Sequence, residues 1–414
     1  MQYSKLFGKT IKDAPKDEVA INAKLLLRGG FIDKLMTGSY TLLHLGRRVE
    51  QKIEQIIREE MNATGAEEIL MPLLHPKGIW NETGRWDSAR EVMYQFEKDG
   101  KEYALSFTHE EVVMDLIRKH VVSYKDLPVK IYHFSTKFRD EKRAKSGILR
   151  GREFLMKDLY SAHVSKEDMM KYYDEIKKVY IKIFKRMGLN ALLTQAGGGV
   201  FTKNFTHEFQ VIADNGEDEI IYCPKGDFST NTEVKIEEDK CKLCQTPLKK
   251  AKAIEVGNIF PLGTYYSEKM DVNFTDKEGK KQPIWLASYG IGLTRAVGAI
   301  VEIHHDEKGI IWPKEVAPYD VHLVHIEDST TEKFAKEVND TLTKNGIEVL
   351  WDDRVNVSPG AKFADADLIG IPVRLVVSKR NKDKIEFKER KSNKSELLTL
   401  EEVVKKLKEP CLSG

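Results

Sequence analysis

Two pairs of side chains lie at two-residue spacing on either side of a basic loop in residues 137–158. Arg139 and Glu141 form the first pair, and Arg152 and Phe154 form the second. On extended strands each pair projects from one face, and a hairpin would bring the two pairs together. Arginine binds carboxylate or phosphate oxygens through two N–H groups, glutamate accepts from an exocyclic amine, and phenylalanine offers a face to a purine. The pattern fits a nucleotide held over an acid, and it also fits a solvated, charged hairpin without a ligand.

A second group of this kind follows the apolar, strand-like run 283–287. Gly290 and Gly292 allow a close approach to the backbone, and Arg295 falls in the first turn of the apolar helix that comes next. The N-terminal end of a helix favours anions, so this arrangement fits a phosphate or ATP. The alternative is a tight strand-to-helix turn with a surface arginine.

A polar tetrad, residues 108–111, stands where the strand-like run 103–107 ends and a helix begins. Thr108 and Glu111 have the spacing of a capping box. Ligand-binding groups also cluster at strand ends, so a role for Thr108 and Glu110 in binding a ligand remains open beside the capping role.

Three of the four cysteines lie close together in the sequence. Cys223, Cys241 and Cys244 give the pattern C-x17-C-x2-C, and Gly226 occupies the place where a zinc ribbon would have another cysteine. A structural zinc site normally has four ligands. We therefore expect a degenerate, metal-free knuckle over residues 223–244 and no zinc, unless a non-adjacent residue completes the set.

The overall charge and hydropathy exclude several classes of protein. The 414 residues are 41% hydrophobic, and 67 Lys and Arg balance 65 Asp and Glu, so a nucleic acid would have to meet local basic patches. No apolar run is long enough for a membrane span, and the N-terminus lacks the apolar core of a secretory signal. The cytoplasm is the expected location.

Periodicity predicts the elements that carry these residues. A helix is expected over residues 46–63, ended by Gly65 and followed by an edge strand that stops at Pro72. Near Pro318 the pattern changes to alternating strands and helices, which indicates a second, α/β domain. Its strands are expected at 320–326, 348–351, 373–377 and 385–388, and its helices at 332–345 and 401–407.

Three separated segments resemble the signature motifs of class II aminoacyl-tRNA synthetases. Residues 46–72 resemble motif 1, residues 137–158 motif 2 and residues 286–303 motif 3. The sequences THEE (108–111), REFLMKD (152–158), GRW (84–86), GEDEI (216–220) and DLIGIP (367–372) resemble the prolyl branch of bacterial type. The resemblance implies an α+β catalytic domain over 1–317, with an antiparallel sheet flanked by helices, and a small α/β anticodon-binding domain over 318–414.

The resemblance also implies an activity, which is ATP-dependent attachment of L-proline to proline tRNA through a prolyl-adenylate, with Mg²⁺ and in a homodimer. Arg139 and Arg295 would be catalytic, and Arg143 would meet the tRNA acceptor stem. The residues implied for proline binding are Thr108, Glu110, Arg139, His163 and His207. The residues implied for ATP binding are Arg139, Glu141, Arg152, Phe154, Gly290, Gly292 and Arg295.

The interval from His163 to Pro283 is too short for the large editing domain that many bacterial members of the family carry. We therefore expect a synthetase without editing in cis, which relies on a separate protein to clear alanine errors. Two alternatives remain: a class II synthetase for another amino acid such as threonine, and a non-catalytic, tRNA-binding paralogue. The chain also departs from the family pattern at Asn258 and Ser358.

Overall fold

A computed structural model describes residues 1–16, 18–142, 146–197, 206–234, 236–326 and 330–409. These residues form two compact units. The first comprises Met1–Leu35, Tyr40–Lys52 and the described part of 300–414, and the second comprises Met36–Ser39 and Ile53–Ala299. No helix among the described residues is long and apolar enough to cross a membrane.

Helices and strands are interspersed along the described chain. The helices are α1 (Ile21–Arg28), α2 (His44–Ala63), α3 (Lys77–Thr83), α4 (Arg85–Ser88), α5 (Glu110–His120), α6 (Lys166–Arg186), α7 (Tyr265–Lys269), α8 (Leu293–Ile303), α9 (Glu332–Lys344), α10 (Pro359–Ile369) and α11 (Leu400–Lys408). The strands are β1 (Ile32–Met36), β2 (Ser39–Leu42), β3 (Glu67–Glu68), β4 (Leu74–Pro76), β5 (Gln95–Lys98), β6 (Lys101–Leu105), β7 (Val129–Phe138), β8 (Glu153–His163), β9 (Leu192–Ala196), β10 (Thr206–Ile212), β11 (Asp218–Tyr222), β12 (Ser229–Asn231), β13 (Lys249–Gly263), β14 (Asn273–Thr275), β15 (Lys281–Pro283), β16 (Trp285–Gly292), β17 (Val321–His325), β18 (Val349–Asp352), β19 (Val373–Val377), β20 (Ile385–Glu389) and β21 (Glu396–Leu398).

A nine-stranded sheet forms the body of the second unit, in the order β10-β9-β12-β11-β13-β16-β8-β7-β3. Its central pairs are antiparallel, and only the short pairs β3–β7 and β9–β12 are parallel. This confirms the predicted antiparallel sheet. The strand that was expected to stop at Pro72 does lie on the edge of the sheet, but it is only the two-residue β3 and ends at Glu68, four residues before the proline. Gly65 ends the preceding helix region with a φ of 74° that glycine adopts without strain.

The two faces of this sheet have different surroundings. On one face α6 covers the strands with a stripe of aromatic side chains, in which Tyr180 and Phe184 pack on Phe209 of β10, and Tyr173 packs on Tyr289 of β16. Side chains of alternate residues on a strand point to opposite faces. On β8 and β10, odd-numbered and even-numbered residues therefore point to opposite faces of the sheet, one of which is covered by α6.

The hairpin predicted for residues 137–158 is present. Strands β7 and β8 pair along their whole length, with Lys137 opposite Phe154, and the N–H of Arg139 donates to the carbonyl oxygen of Arg152 at 2.9 Å. The turn therefore begins just beyond Arg139, so the two predicted pairs of side chains lie on neighbouring strands or strand ends.

The first unit contains a five-stranded sheet in the order β18-β17-β19-β20-β21. Strands β18, β17 and β19 are parallel, and β20 and β21 are antiparallel. The four predicted strands and both predicted helices of this region are present within one or two residues. Helix α10 and strand β21 were not predicted. Ser358 caps α10, because its hydroxyl accepts from the N–H of Ala361 at 3.3 Å and Pro359 follows it at the first helical position.

The N-terminus belongs to this same unit. The amino group of Met1 donates to the carbonyl oxygen of Val349 at 2.8 Å, and Gln2 forms a parallel bridge with Trp351. The compact unit that holds the α/β sheet thus also contains residues from the start of the chain. The expected domain boundary after residue 317 had assigned those residues to the other domain.

Candidate active site

A pocket of about 380 Å³ opens on the sheet face opposite α6. Strands β8, β13 and β16, the first turn of α8 and the turn after β7 line it. The predicted site residues that line it are Arg139, Glu141, Phe154, Gly290, Gly292 and Arg295. Segments more than 100 residues apart in the chain thus supply one concave site.

Two arginines place positive charge on this pocket. Arg139 donates through Nε and Nη2 to the carbonyl oxygen of Phe107, each at 3.3 Å, and its guanidinium lies 5.2 Å from the ring centroid of Phe154. Arg295 donates to the carbonyl oxygen of Leu149 at 2.9 Å and to Glu255. Burial, with the neighbouring charge of Arg295, lowers the pKa of Arg139 from its ordinary value. An anion between the two guanidinium groups would relieve their repulsion.

The floor of the pocket depends on Gly290. A methyl group built on Gly290 would overlap Cε of Met156 and lie 2.9 Å from Oδ1 of Asn258. Both neighbours line the pocket as well, so a methyl group at Gly290 would displace side chains that shape it.

If the pocket holds the ATP that the resemblance implies, we expect Gly290→Ala to raise the KM for ATP by about tenfold, because an added methylene in a well-packed site costs roughly 1–3 kcal/mol. Gly78→Ala is the matched control, since nothing lies within 4 Å of a methyl group at Gly78. Exchange kinetics at varied ATP would measure the effect. An unchanged KM in the Gly290 variant would show that the ligand does not approach this part of β16.

Glu141 and Arg152 have defined partners beside the pocket. Glu141 pairs with Nε of Arg150 at 2.7 Å, and Arg150 also reaches Glu217 at 2.8 Å. Arg152 donates to the carbonyl oxygens of Glu141 at 3.2 Å and Thr37 at 3.3 Å, and it is not among the described residues that line the pocket. Arg152 thus braces the turn that carries Glu141 instead of facing the pocket as expected. The predicted Arg143 lies outside the described residues.

Carboxylates cluster on the opposite side of the pocket. Glu208, Asp218 and Glu255 all line it. Burial, and then the charge of Glu255, raises the pKa of Glu208 to about 8, and burial also raises the pKa of Asp218. These half-buried carboxylates place oxygen ligands, the kind that a divalent cation prefers, on this side of the pocket.

Thr108 follows Phe107, whose carbonyl oxygen accepts from Arg139, and neither Thr108 nor Glu110 is among the described residues that line the pocket. The hydroxyl of Thr108 donates to Oε2 of Glu110 in a short hydrogen bond, and α5 begins at Glu110 with no side-chain cap. The capping interpretation of Thr108 was therefore wrong. Nη1 of Arg85 lies 3.3 Å from Glu110 and 3.1 Å from Glu111, with all three side chains buried. Arg85 was not predicted as a site residue.

Glu111 makes the stability of this unit depend on pH. Burial raises its pKa from 4.5 to about 7, although Arg85 lies beside it. The folded protein therefore keeps a proton on Glu111 where the unfolded chain has lost it, so its contribution to the free energy of unfolding falls as pH rises from about 4.5 to about 7. We expect Glu111→Gln to remove a fall on the order of 3 kcal/mol over this range.

Urea denaturation at a series of pH values measures this slope. Glu102→Gln, at an exposed carboxylate that pairs with Lys77, is the control that should leave the slope unchanged. Identical slopes for the wild-type chain and the Glu111 variant would contradict the assignment.

A buried lysine lies behind the pocket. Nζ of Lys137 is 2.5 Å from Oδ2 of Asp158, 2.5 Å from Nδ1 of His109 and 2.9 Å from Oγ of Ser135. Although Asp158 is buried, the charge of Lys137 lowers its pKa. His109, His133 and Asp158 are close enough together to hold a metal ion, but the ammonium group of Lys137 already contacts all three. Lys137 therefore supplies the cation of this cluster.

The two predicted histidines lie on the α6 face. Nδ1 of His163 is 2.8 Å from Oδ2 of Asp168, and Nδ1 of His207 is 2.9 Å from the hydroxyl of Tyr173 on α6. Neither is among the described residues that line the pocket. On β8 the pocket side carries Phe154 and Met156, so an odd-numbered residue such as His163 points the other way. The expected place of both histidines in the amino-acid pocket therefore has to be corrected.

The cysteine knuckle has a fourth possible ligand. The Sγ atoms of Cys223, Cys241 and Cys244 and a carboxylate oxygen of Asp227 all lie within 4.8 Å of one another. The expectation of a metal-free knuckle depended on the missing cysteine at position 226. Asp227, one residue later, offers a carboxylate in place of that cysteine, so the missing cysteine no longer argues against a metal site.

Comparison with known proteins identifies both parts of the chain. Residues 94–304 match the family model described as the tRNA synthetase class II core domain (G, H, P, S and T), and residues 320–410 match an anticodon binding domain. In three dimensions the chain resembles prolyl-tRNA synthetase from Cryptosporidium parvum, with bound halofuginone and AMPPNP, at a TM-score of 0.77 and 20% identity over 93% of this chain and 75% of that one. It resembles the Giardia lamblia enzyme in complex with prolyl-adenylate equally well, at 0.77 and 21% over 92% and 74%. These likenesses show the fold.

Relatives found by sequence comparison are more similar to this chain than these structural neighbours are. The proline–tRNA ligase of Wolbachia sp. subsp. Brugia malayi is 41% identical over 423 residues, which span 98% of this chain and 99% of the relative. That of Sulfurihydrogenibium sp. is 34% identical over 560 aligned positions, more than the 414 residues present here, so it carries inserted sequence that this chain lacks. The chain belongs to the proline–tRNA ligase family of class II aminoacyl-tRNA synthetases.

Proposed function

We propose that this chain attaches L-proline to proline tRNA in an ATP-dependent reaction that passes through prolyl-adenylate. The observation that carries the proposal is the pocket in which Arg139 and Arg295 face a glycine floor and the ring of Phe154, with Thr108 and Glu110 beyond Arg139. The pocket offers places for a nucleotide and for the anion between the two substrates, and Thr108 and Glu110, next to Phe107, are assigned to an amine.

The first step needs no nucleophile from the protein. An oxygen of the proline carboxylate attacks the α-phosphorus of ATP, a P–O bond forms, and pyrophosphate leaves with the electron pair of the broken bond. What the chain supplies is alignment, and positive charge where the phosphoryl oxygens gain negative charge. Arg139 is assigned to the carboxylate and the α-phosphate, and Arg295 to the other phosphates.

The other side chains are assigned to adenine and to the amino group of proline. Phe154 stacks on adenine, Glu141 accepts from its amino group, and Arg152 holds the turn that carries Glu141 through its backbone bonds. Thr108 and Glu110 receive the secondary ammonium group of proline, because a carboxylate in a buried site adds selectivity that shape alone lacks. His163 and His207 are assigned to support of the sheet from the α6 side.

Class II synthetases use ATP together with Mg²⁺, and the carboxylates of this pocket fit such an ion. Glu208, Asp218 and Glu255 offer oxygen ligands. Burial, and after it the charge of Glu255, raises the pKa of Glu208, and burial raises that of Asp218, so a bound cation would favour the ionised form of both. Bound Mg²⁺ would neutralise charge on the phosphates of ATP.

The remaining partners follow from the family. We assign catalysis to residues 1–317 and anticodon recognition to residues 318–414, and we assign Arg143 to the tRNA acceptor stem. We further propose a cytoplasmic homodimer. Leu70, 82% exposed beside the edge strand β3, is apolar surface that a second copy would cover.

Exchange of labelled pyrophosphate into ATP, measured with each amino acid in turn, tests the proposal. Exchange that depends on proline, followed by charging of proline tRNA, is the expected result. Exchange with threonine alone would replace proline by another amino acid. Absence of exchange with every amino acid, in a chain that still binds tRNA, would favour the non-catalytic paralogue.

We also propose that the chain lacks editing in cis. Alanine is smaller than proline, and a pocket rejects a smaller ligand by only about 10–200-fold per missing methylene. We therefore expect the purified chain to make Ala-tRNA and to leave it intact, so that a separate deacylase is needed. Hydrolysis of preformed Ala-tRNA by the chain alone, above the rate in buffer, would refute this.

A further inference from the structure

We infer that Cys223, Asp227, Cys241 and Cys244 form a structural zinc site that clamps one wall of the pocket. The proposal is independent of the reaction, and three features of the structure support it: the ligand distances, the two turns that present the ligands, and the position of the cluster in the sheet.

The distances within the cluster are close to those of a tetrahedral metal site. A tetrahedral zinc ion with Zn–S bonds of about 2.3 Å places neighbouring sulfur atoms about 3.8 Å apart. Sγ of Cys223 lies 3.4 Å from Sγ of Cys244 and 3.9 Å from Oδ2 of Asp227, and all four ligand atoms lie within 4.8 Å. A disulfide requires about 2.05 Å, so the sulfur atoms are not bonded to each other.

Two turns of the same size present the ligands. The N–H of Cys223 donates to the carbonyl oxygen of Phe228 at 2.8 Å, and the N–H of Cys241 donates to that of Thr246 at 2.9 Å, so each turn closes five residues after its first cysteine. Each turn also contains a residue with positive φ, Gly226 at 82° and Gln245 at 59°. The second ligand stands three residues after the first in one turn and four in the other, which is why a cysteine pattern alone missed Asp227.

The ligand atoms are held in place before any metal arrives. Cys223 and Cys241 are buried, and the backbone N–H groups of Leu243 and Cys244 face the sulfur of Cys241. The hydroxyl of Thr246 is 3.3 Å from Sγ of Cys244. Thiolates with such hydrogen-bonded surroundings are preferred zinc ligands, and soft sulfur donors in a tetrahedral set select zinc over Mg²⁺ or Ca²⁺.

The cluster lies at the end of the strands that line the pocket. Cys223 follows β11 directly, Asp227 precedes β12, and the second turn ends just before β13, where Tyr222 pairs with Lys249. Asp218 of β11 and Glu255 of β13 line the pocket a few residues further along. A metal bound here would fix the spacing of β11 and β13, and binding to the folded state alone would stabilise it.

The test is the metal content of the full chain purified without chelators. We expect about one zinc ion per chain by mass spectrometry of the metals. Released zinc should appear stoichiometrically when a mercurial reagent blocks the thiols, and the Co²⁺-substituted chain should show a thiolate-to-cobalt charge-transfer band. These measurements need no variant and no activity.

Variants assign the ligands. Cys241→Ser and Asp227→Ala should lose the zinc, and Asp227→Cys should keep it, because four thiolates also make a closed site. Cys411→Ser and Asp214→Ala are the controls, at the fourth cysteine and at an exposed aspartate of the turn that precedes β11. Wild-type chain with no metal, with iron in place of zinc, or with a Cys223–Cys244 disulfide would overturn the proposal, as would full zinc occupancy in Cys241→Ser.

Discussion

Replacement of Arg139 by alanine is expected to lower proline-dependent ATP–pyrophosphate exchange by about 10²–10³-fold or more. Removal of one fixed donor to a developing oxyanion costs this much in other enzymes. Arg139 has the additional task of holding the carboxylate against the phosphate, and its guanidinium is held between the carbonyl oxygen of Phe107 and the ring of Phe154. Its loss would therefore lower kcat as well as raise the KM for proline.

Two companion variants make the result interpretable. Arg139→Lys keeps the charge but loses the planar fork, so it should recover only part of the activity. Arg186→Ala removes an arginine at the end of α6 that pairs with Glu59 and Glu60 of α2 at 2.8–3.0 Å, and it should leave exchange unchanged. If Arg139→Ala kept the wild-type exchange rate, the residue would have no part in adenylate formation, and the non-catalytic alternative would gain support.

The hairpin around Arg139 was predictable because its signal is local. Two strands with period-two alternation, joined by a basic turn, specify their own pairing, and the observed register places Lys137 opposite Phe154. The second arginine of the pocket, Arg295, was also predicted from a local pattern, in which two glycines precede the first turn of a helix. That these two segments share one pocket followed from resemblance, since no local pattern fixes a contact over 150 residues.

The features that were not predicted are of two kinds. Some are contacts between residues far apart in the sequence, and one is a possible ligand, Asp227, that stands one position after the expected one. Arg85 reaches Glu110 and Glu111, 25 and 26 residues away, through a buried cluster that no spacing rule describes. The position of His163 on the α6 face, outside the pocket, could have been predicted from the sequence. It follows from Phe154 by an odd number of residues on one strand, so the two side chains had to face opposite sides of the sheet.

Replacement of Arg85 by methionine is the second large effect that we expect. Nη1 of Arg85 lies within 3.3 Å of Glu110 and Glu111 and 2.9 Å from the hydroxyl of Tyr266. Methionine would leave the volume only partly filled. It would also leave the carboxylate of Glu110 without its cation, and that of Glu111 as well above a pH of about 7, where Glu111 is ionised. Breaking a buried ion pair in this way costs about 3–5 kcal/mol, so a loss of this size in the free energy of unfolding is expected from urea denaturation.

The same variant should also affect proline, because Arg85 orients the carboxylate assigned to the substrate. At a temperature where the variant is folded, the KM for proline should rise about tenfold or more while the KM for ATP stays near its wild-type value. A charge-assisted hydrogen bond is worth roughly 1.5–3 kcal/mol. Arg118→Met is the matched control, since that guanidinium pairs with Glu82 and Asp115 at the surface and should cost less than about 1 kcal/mol.

A double-mutant cycle then separates the charge from the packing. In Arg85→Met combined with Glu111→Gln one of the two uncompensated carboxylates is gone, so the double variant should be more stable than Arg85→Met alone, with a coupling energy of about 1–3 kcal/mol. The KM for proline should nevertheless stay high in the double variant, because Glu110 still lacks its partner. Recovery of stability together with recovery of the KM would mean that Arg85 acts on the fold alone. Recovery of stability without the KM would place Arg85 as a positioning residue for Glu110.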